Sequence, residues 1–310
     1  MSVAFIFPGQ GAQAVGMARD VYETSAAARA VFEQADEALG VAVSRLCFDG
    51  PDETLTATEN AQPAILTASL ALLAALAENA NVAPFVAEHA AFVAGHSLGE
   101  YTALVAADAL DLATAVRLVR RRGELMAAAT EGGMAAIIGM DEAQLEVICR
   151  EASTGDATVV IANYNAPGQL VISGATAAIE RAGALAKANG AKRVLPLKVS
   201  AAFHSPLLQG AADGLAPAVR EAPMTDARVP VISNVTAEPL TSAESIREEL
   251  VAQVTAPVRW IASVQRMAAM GVDTFVEIGP GSVLTGLIKR IAPEARLVNV
   301  NSITSVQAYS

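Results

Sequence analysis

The hydrophobic pattern of this chain switches period several times, and each switch marks an element. Val3-Ala4-Phe5-Ile6-Phe7 is a continuous apolar run that ends in a glycine turn, the form of a buried strand. A helical period follows from about Ala18 to Leu39, and a second helix opens at Pro63. Another apolar run at Ala90–Ala94 leads through Gly95 into an alanine-rich helical stretch. Asp111 is placed to N-cap a helix reaching about Ala129, with Leu112, Ala115, Val116, Leu118, Val119, Leu125 and Met126 on its apolar side. Strands alternating with helices predict an α/β structure around a parallel sheet.

After Gly132-Gly133 the rhythm changes. Met134–Met140 reads as a strand, Asp141–Ala152 as a helix capped by Asp141, and Val159–Asn163 and Leu170–Ser173 as strands joined through Ala166-Pro167-Gly168. Ala175–Ala188 reads as a helix and Arg193–Leu197 as a last strand. The order β-α-β-β-α-β is the ferredoxin-like pattern. Strands near Pro230–Ser233, Thr274–Ile278 and Arg296–Val300 then resume the first rhythm. The expected organisation is a discontinuous, hydrolase-like large α/β domain over 1–130 and 199–310, with a ferredoxin-like small domain over 131–198.

Composition narrows the class. A chain of 310 residues can bury a full core, and 53% hydrophobic with only 4% aromatic residues describes an alanine- and leucine-rich enzyme. The longest apolar stretch, Ala64–Ala77, is interrupted by Thr67 and Ser69 and is shorter than the roughly 20 residues of a spanning helix, so it reads as a buried helix. The chain opens on a strand rather than on a basic, apolar leader, which predicts a cytoplasmic protein. A net charge of −11 disfavours nucleic acid or an anionic membrane as partner. Cys47 and Cys149 stand far apart with no partner motif, which argues against a disulfide framework and against a zinc site.

Candidate chemistry centres on Gly95-His96-Ser97-Leu98-Gly99, a serine on a strand-to-helix turn flanked by glycines. Such a nucleophile elbow lifts the serine clear of the backbone and aims N–H groups at the carbonyl under attack; the plain alternative is a tight turn that happens to hold a serine. A serine needs a base, and the chain has three histidines, His89, His96 and His204. His204 is the best placed, where the chain leaves the small domain, because clefts form at domain junctions. His96 is adjacent, but neighbouring side chains on an extended turn point apart; His89 reads as a solvated surface histidine. Arg122 falls in the middle of the apolar stripe of its helix, whereas Arg117, Arg120 and Arg121 project off it. An inward guanidinium needs an anion, either an internal acid or a substrate carboxylate. The Pro8–Gln13 turn after the first strand can lend a backbone N–H to an oxyanion site, and Ile278-Gly279-Pro280-Gly281 reads as a structural turn.

These residues resemble those of a known family, the bacterial malonyl-CoA:acyl carrier protein transacylases, related to the acyltransferase domains of fatty-acid and polyketide synthases. The matching segments are FPGQGAQ at 7–13, GHSLGEYTALV at 95–105, RRG at 121–123, NYNAPGQLVISG at 163–174, AFHSPL at 202–207, ISNVTAEP at 232–239, PVRW at 257–260 and VEIGPGSVL at 276–284. The resemblance implies that Ser97 is acylated, that His204 is its base and that Arg122 holds the malonyl carboxylate. It also implies an oxyanion hole from the N–H groups of Gln10 and Leu98, Gln253 beside the dyad, and a backbone carbonyl orienting the histidine. Phe203 and Met126 are counted with the substrate-binding residues, Phe203 filling the space of an α-methyl group, a discrimination of about 1–3 kcal/mol.

The implied reaction moves malonyl from malonyl-CoA through a malonyl-serine ester to the phosphopantetheine thiol of acyl carrier protein, supplying fatty-acid elongation by a ping-pong route. No cofactor and no metal are expected, since phosphopantetheine belongs to the carrier protein. The chain is expected to be a monomer that meets an acidic carrier through a local basic patch, with Arg193, Lys198, Lys289 and Arg290 as contributors. A serine esterase or thioesterase is the alternative enzyme. It would place an acid between serine and histidine in chain order, for which Asp108, Asp111 and Asp156 are available. A non-catalytic carrier-binding module is the alternative outside enzymes.

Overall fold

The computed structural model describes residues 2–199 and 201–309. The described residues form ten strands: β1 Val3–Phe7, β2 Phe92–Gly95, β3 Gly133–Ile138, β4 Val159–Ala166, β5 Gln169–Gly174, β6 Arg193–Pro196, β7 Val231–Ile232, β8 Pro239–Leu240, β9 Thr274–Ile278 and β10 Arg296–Val300. They form two sheets. The larger has the order β10-β9-β1-β2-β7-β8, parallel throughout except for the antiparallel edge strand β8. Its central strand β1 is apolar at every position, and Ala4 to Phe7 are buried, as a parallel sheet covered on both faces requires. The smaller sheet has the antiparallel order β4-β5-β3-β6, with the helices Glu142–Ala152 and Thr176–Ala188 as its crossovers. That is the ferredoxin-like arrangement, and the molecule is an α/β protein with a hydrolase-like parallel sheet and this second unit beside it.

Several boundaries differ from the pattern's forecast, for identifiable reasons. The single helix expected over 18–39 is two, Arg19–Thr24 and Ala26–Leu39, because Ser25 turns extended and its hydroxyl caps the second by accepting from Ala28 N–H. The helix expected to open at Pro63 begins earlier and spans Thr58–Ala80. Proline tolerates this place because the Glu59 carbonyl it leaves free accepts from Arg120 Nη1 at 3.2 Å. This helix is long and apolar enough to cross a membrane, yet 78% of its most apolar window is buried inside the protein. The Ala90–Ala94 run pairs only from Phe92 to Gly95. Asp111 caps Leu112–Ala128 through Thr114 N–H, and Asp141 caps Glu142–Ala152, as expected. His89 is not a loop residue: it closes the short helix Phe85–His89, half-buried and stacked on Phe85 at 4.3 Å. Cys47 and Cys149 are free and buried.

Backbone hydrogen bonds lace β4 to the large unit along a seam. Asn163 of β4 bridges to Val258 in the large unit, with Tyr164 N–H donating to Val258 O at 2.9 Å and Val258 N–H to Ala162 O at 2.8 Å. The cleft opens beside this seam.

Candidate active site

β2 ends at Gly95, and the chain turns within three residues into the helix Gly99–Ala106. Ser97 takes the turn with φ of +51°, a left-handed backbone rare for a residue with a side chain and one of the strains found at functional sites. The turn presses against β1 so closely that a Cβ on Gly99 would lie 2.1 Å from the Phe7 carbonyl oxygen. Asn234 ties it from the other side, its Oδ1 accepting from Ser97 N–H at 2.7 Å and its Nδ2 donating to Gly95 O at 2.7 Å. The elbow geometry is thus real, and Ser97 Oγ stands half-buried in a cleft of about 380 Å³.

His204 comes to it from more than a hundred residues away. Its Nε2 lies 2.7 Å from Ser97 Oγ, and it too has a positive φ, +55°. Nδ1 faces two backbone carbonyls, Gln253 O at 2.9 Å and Ala256 O at 3.2 Å. Carbonyls only accept, so Nδ1 carries the proton and Nε2 is left with a lone pair toward the serine hydroxyl. Burial, and then the Arg122 guanidinium, push the His204 pKa down to about 3, so the ring rests neutral. His96 points elsewhere, its Nε2 2.8 Å from Asn165 Oδ1 and its ring against Trp260.

Arg122 is 1% exposed on the helix Leu112–Ala128, whereas Arg117 and Arg121 are exposed and Arg120 half-buried. Gly123 beside it has no Cβ to hold off Thr58–Ala80, one would meet Glu59 Cα at 2.6 Å, and this contact brings Gln62 to the guanidinium. Arg122 Nη1 donates to Gln62 Oε1 at 2.8 Å, and Nη2 to Ser97 Oγ at 3.0 Å and Gln253 Oε1 at 2.9 Å. The Tyr101 ring lies beneath it, 5.7 Å from Cζ. Among the described residues no carboxylate lies within ion-pair distance of Arg122. A buried, charged fork held by neutral groups beside a nucleophile can receive a carboxylate from outside.

The other forecast residues divide. Gln10, Leu98, Met126 and Phe203 all line the cleft with Ser97 and His204, and Gln253 is fully buried behind it. The backbone N–H groups of Gln10 and Leu98 meet no protein acceptor among the described residues. Lys198 is exposed at the cleft, whereas Arg193, Lys289 and Arg290 do not line it. Arg290 is also engaged, its guanidinium donating to Gln169 Oε1 at 2.7 Å and to Pro167 O, so it straps its helix to the β4–β5 turn. None of the acids a hydrolase would need faces His204 Nδ1, whose acceptors are the two backbone carbonyls: Asp108 pairs with Arg228 at 3.4 Å, Asp111 caps its helix, and Asp156 is exposed in the turn between Thr154 and Ala157. The turn at 278–281 is structural, with Glu277 accepting the first N–H groups of the next helix at Leu284 and Thr285. Sequence reasoning missed Gln62, Asn234 and Glu100, which carry the hydrogen bonds that fix Arg122, the elbow and Gln253.

A serine and imidazole in contact under an elbow, with an inward arginine, define an acyl-transferring enzyme, and the chain belongs to the acyl transferase domain family, whose model matches residues 4–307. Among its relatives, the malonyl CoA-acyl carrier protein transacylase of Bacillus subtilis is 46% identical over 308 residues, 98% of this chain and 95% of that one. The crystal structure of an acyl-carrier-protein S-malonyltransferase from Bartonella henselae superposes with a TM-score of 0.95 at 44% identity, covering 99% of this chain and 98% of that one. A malonyl-transacylase solved in complex with a type II polyketide acyl-carrier protein matches with a TM-score of 0.93 at 41% identity, covering 99% and 98%.

Proposed function

We propose that this enzyme transfers the malonyl group from malonyl-CoA to the phosphopantetheine thiol of acyl carrier protein, and so supplies fatty-acid elongation. The observation that carries the reading is Arg122: a buried guanidinium without an acid partner, 3.0 Å from the hydroxyl that His204 contacts at 2.7 Å. Ser97 Oγ attacks the thioester carbonyl, and its proton passes to His204 Nε2. The free N–H groups of Gln10 and Leu98 receive the oxyanion, which fixed dipoles stabilise at no reorganisation cost. The C–S bond breaks and the imidazolium gives its proton to the departing CoA thiolate, leaving a malonyl ester on Ser97 and free CoA thiol. The carrier's thiol then attacks that ester by the same steps in reverse, with His204 as base again. The carboxylate binds the Arg122 fork, and Phe203 and Met126 close the cleft around the acyl group.

The carbonyls of Gln253 and Ala256 suit a transferase. They hold the imidazole in the right tautomer without the carboxylate that hydrolases of this architecture use to activate water. On this reading the large domain covers 1–130 and 199–310, the small domain 131–198 closes one side of the cleft, and a monomer works in the cytoplasm with no cofactor of its own.

Intact mass spectrometry after mixing with malonyl-CoA tests the proposal. A malonyl adduct that persists in buffer, is absent from Ser97→Ala and is discharged by the carrier protein is the expected result. Rapid turnover to free malonate would instead mark a thioesterase, and an unchanged mass a binding module.

A further inference from the structure

Two buried carboxylates behind the dyad have no part in the steps above. Glu100, 1% exposed, lies in the first turn of the elbow helix, and Glu249, 6% exposed, in the helix Ala243–Ala252. They accept from the adjacent backbone N–H groups of Asn234 and Val235, and among the described residues neither has a cation within ion-pair distance. All four oxygens are engaged. Glu100 accepts from Asn234 N–H at 2.9 Å and from Gln253 Nε2, and Glu249 from Val235 N–H at 3.0 Å and Ser233 Oγ at 2.7 Å. Two carboxylates side by side in a dry interior cannot both stay ionised. Burial and the neighbouring Glu249 push Glu100 well above the usual carboxylate range.

Arg122 has the complementary problem, a buried positive charge with no acid in contact. Gln253 stands between the two. Its Oε1 accepts from Arg122 Nη2 at 2.9 Å, while its Nε2 donates to Glu100 and to Ser97 O, the latter at 2.9 Å. Turned over, the same amide would set its NH2 against the guanidinium and its oxygen against the carboxylate.

We propose that Glu100, backed by Glu249, is a positioning residue for carboxylate recognition: the pair balances the charge of Arg122 at one remove and fixes the Gln253 amide with its oxygen toward the guanidinium. The fork is thereby kept charged and aimed without an internal ion pair that an incoming malonyl group would have to break. This inference rests on the reading of Arg122 as the malonyl anchor.

Steady-state transfer from malonyl-CoA and from acetyl-CoA, which lacks the carboxylate, separates the possibilities. Glu100→Gln keeps the size, leaves Glu249 as the only carboxylate of the pair, farther from the Gln253 amide, and sets an NH2 where an acceptor stood. The malonyl-to-acetyl ratio of kcat/KM is expected to fall roughly tenfold, mostly through KM for malonyl-CoA. Glu100→Asp, which draws the carboxylate back from the Gln253 amide, should move the ratio the same way and carries the test should Glu100→Gln fail to fold. An unchanged ratio, including equal loss with both thioesters, overturns the inference. Arg122→Ala in the same assay guards the underlying reading. A ratio it leaves intact sinks the anchor itself, whereas a ratio lost there but intact in both glutamate variants sinks only the counter-charge.

Discussion

At the scale of single residues, the chemistry depends on a histidine that stays neutral where most would titrate. The unfolded chain takes a proton on residue 204 near the ordinary histidine value of 6.5, while the folded protein holds it off until about 3. A base that never protonates in the working range predicts kcat/KM for malonyl-CoA level from about pH 8 to about pH 5, with no inflection near 6.5. A pH–rate profile falling through 6.5 would mean that the imidazole is solvated in the free enzyme. Linkage fixes the sign for stability. Its contribution is fully present above 6.5 and is lost as pH falls from there toward 3, because over that window the unfolded state binds the extra proton.

At the scale of elements, the elbow is where strand, turn and helix constrain each other most tightly. Gly99→Ala drives a methyl into the Phe7 carbonyl, so chemical denaturation should show a loss of about 2 kcal/mol or more, with the transferase rate falling as the turn relaxes. A loss under about 0.5 kcal/mol would show that β1 yields easily. This part of the fold was legible because a buried strand, glycines and a helical period leave compositional traces. The caps at Asp111 and Asp141 were legible for the same reason, each an acid just before an apolar period. The break at Ser25 was not, since a lone serine within a helical pattern gives no sign that it will cap rather than continue. The early start at Thr58 was also hidden, because Thr58, Glu59, Asn60 and Gln62 are polar and Pro63 imitates a first-turn proline. In the site, Ser97, His204 and Arg122 could be picked out by motif, junction and stripe. Gln62 and Asn234 could not, because an amide's part is set by partners that only the tertiary fold supplies.

At the scale of the molecule, a net charge of −11 repels an acidic partner from afar, so docking has to be local. Lys198, exposed at the cleft with Leu197 beside it, is the one forecast cation in position. Lys198→Glu should raise KM for the carrier protein several-fold, roughly three to ten, while KM for malonyl-CoA moves less. The wild-type affinity for the carrier should weaken as salt is added. Equal shifts in both KM values would place the lysine on the coenzyme's path instead.

The seam between the sheets also has a mechanical side. The segment from Gln253 to Val258 holds the imidazole by two carbonyls at one end and is laced to β4 by two amide hydrogen bonds at the other. A hinge that swung the four-stranded unit outward, to admit a bulky thioester or release a loaded carrier, would tug on the tether of the proton acceptor. Gape and basicity are therefore geared together, and a gate left ajar is also an engine out of register.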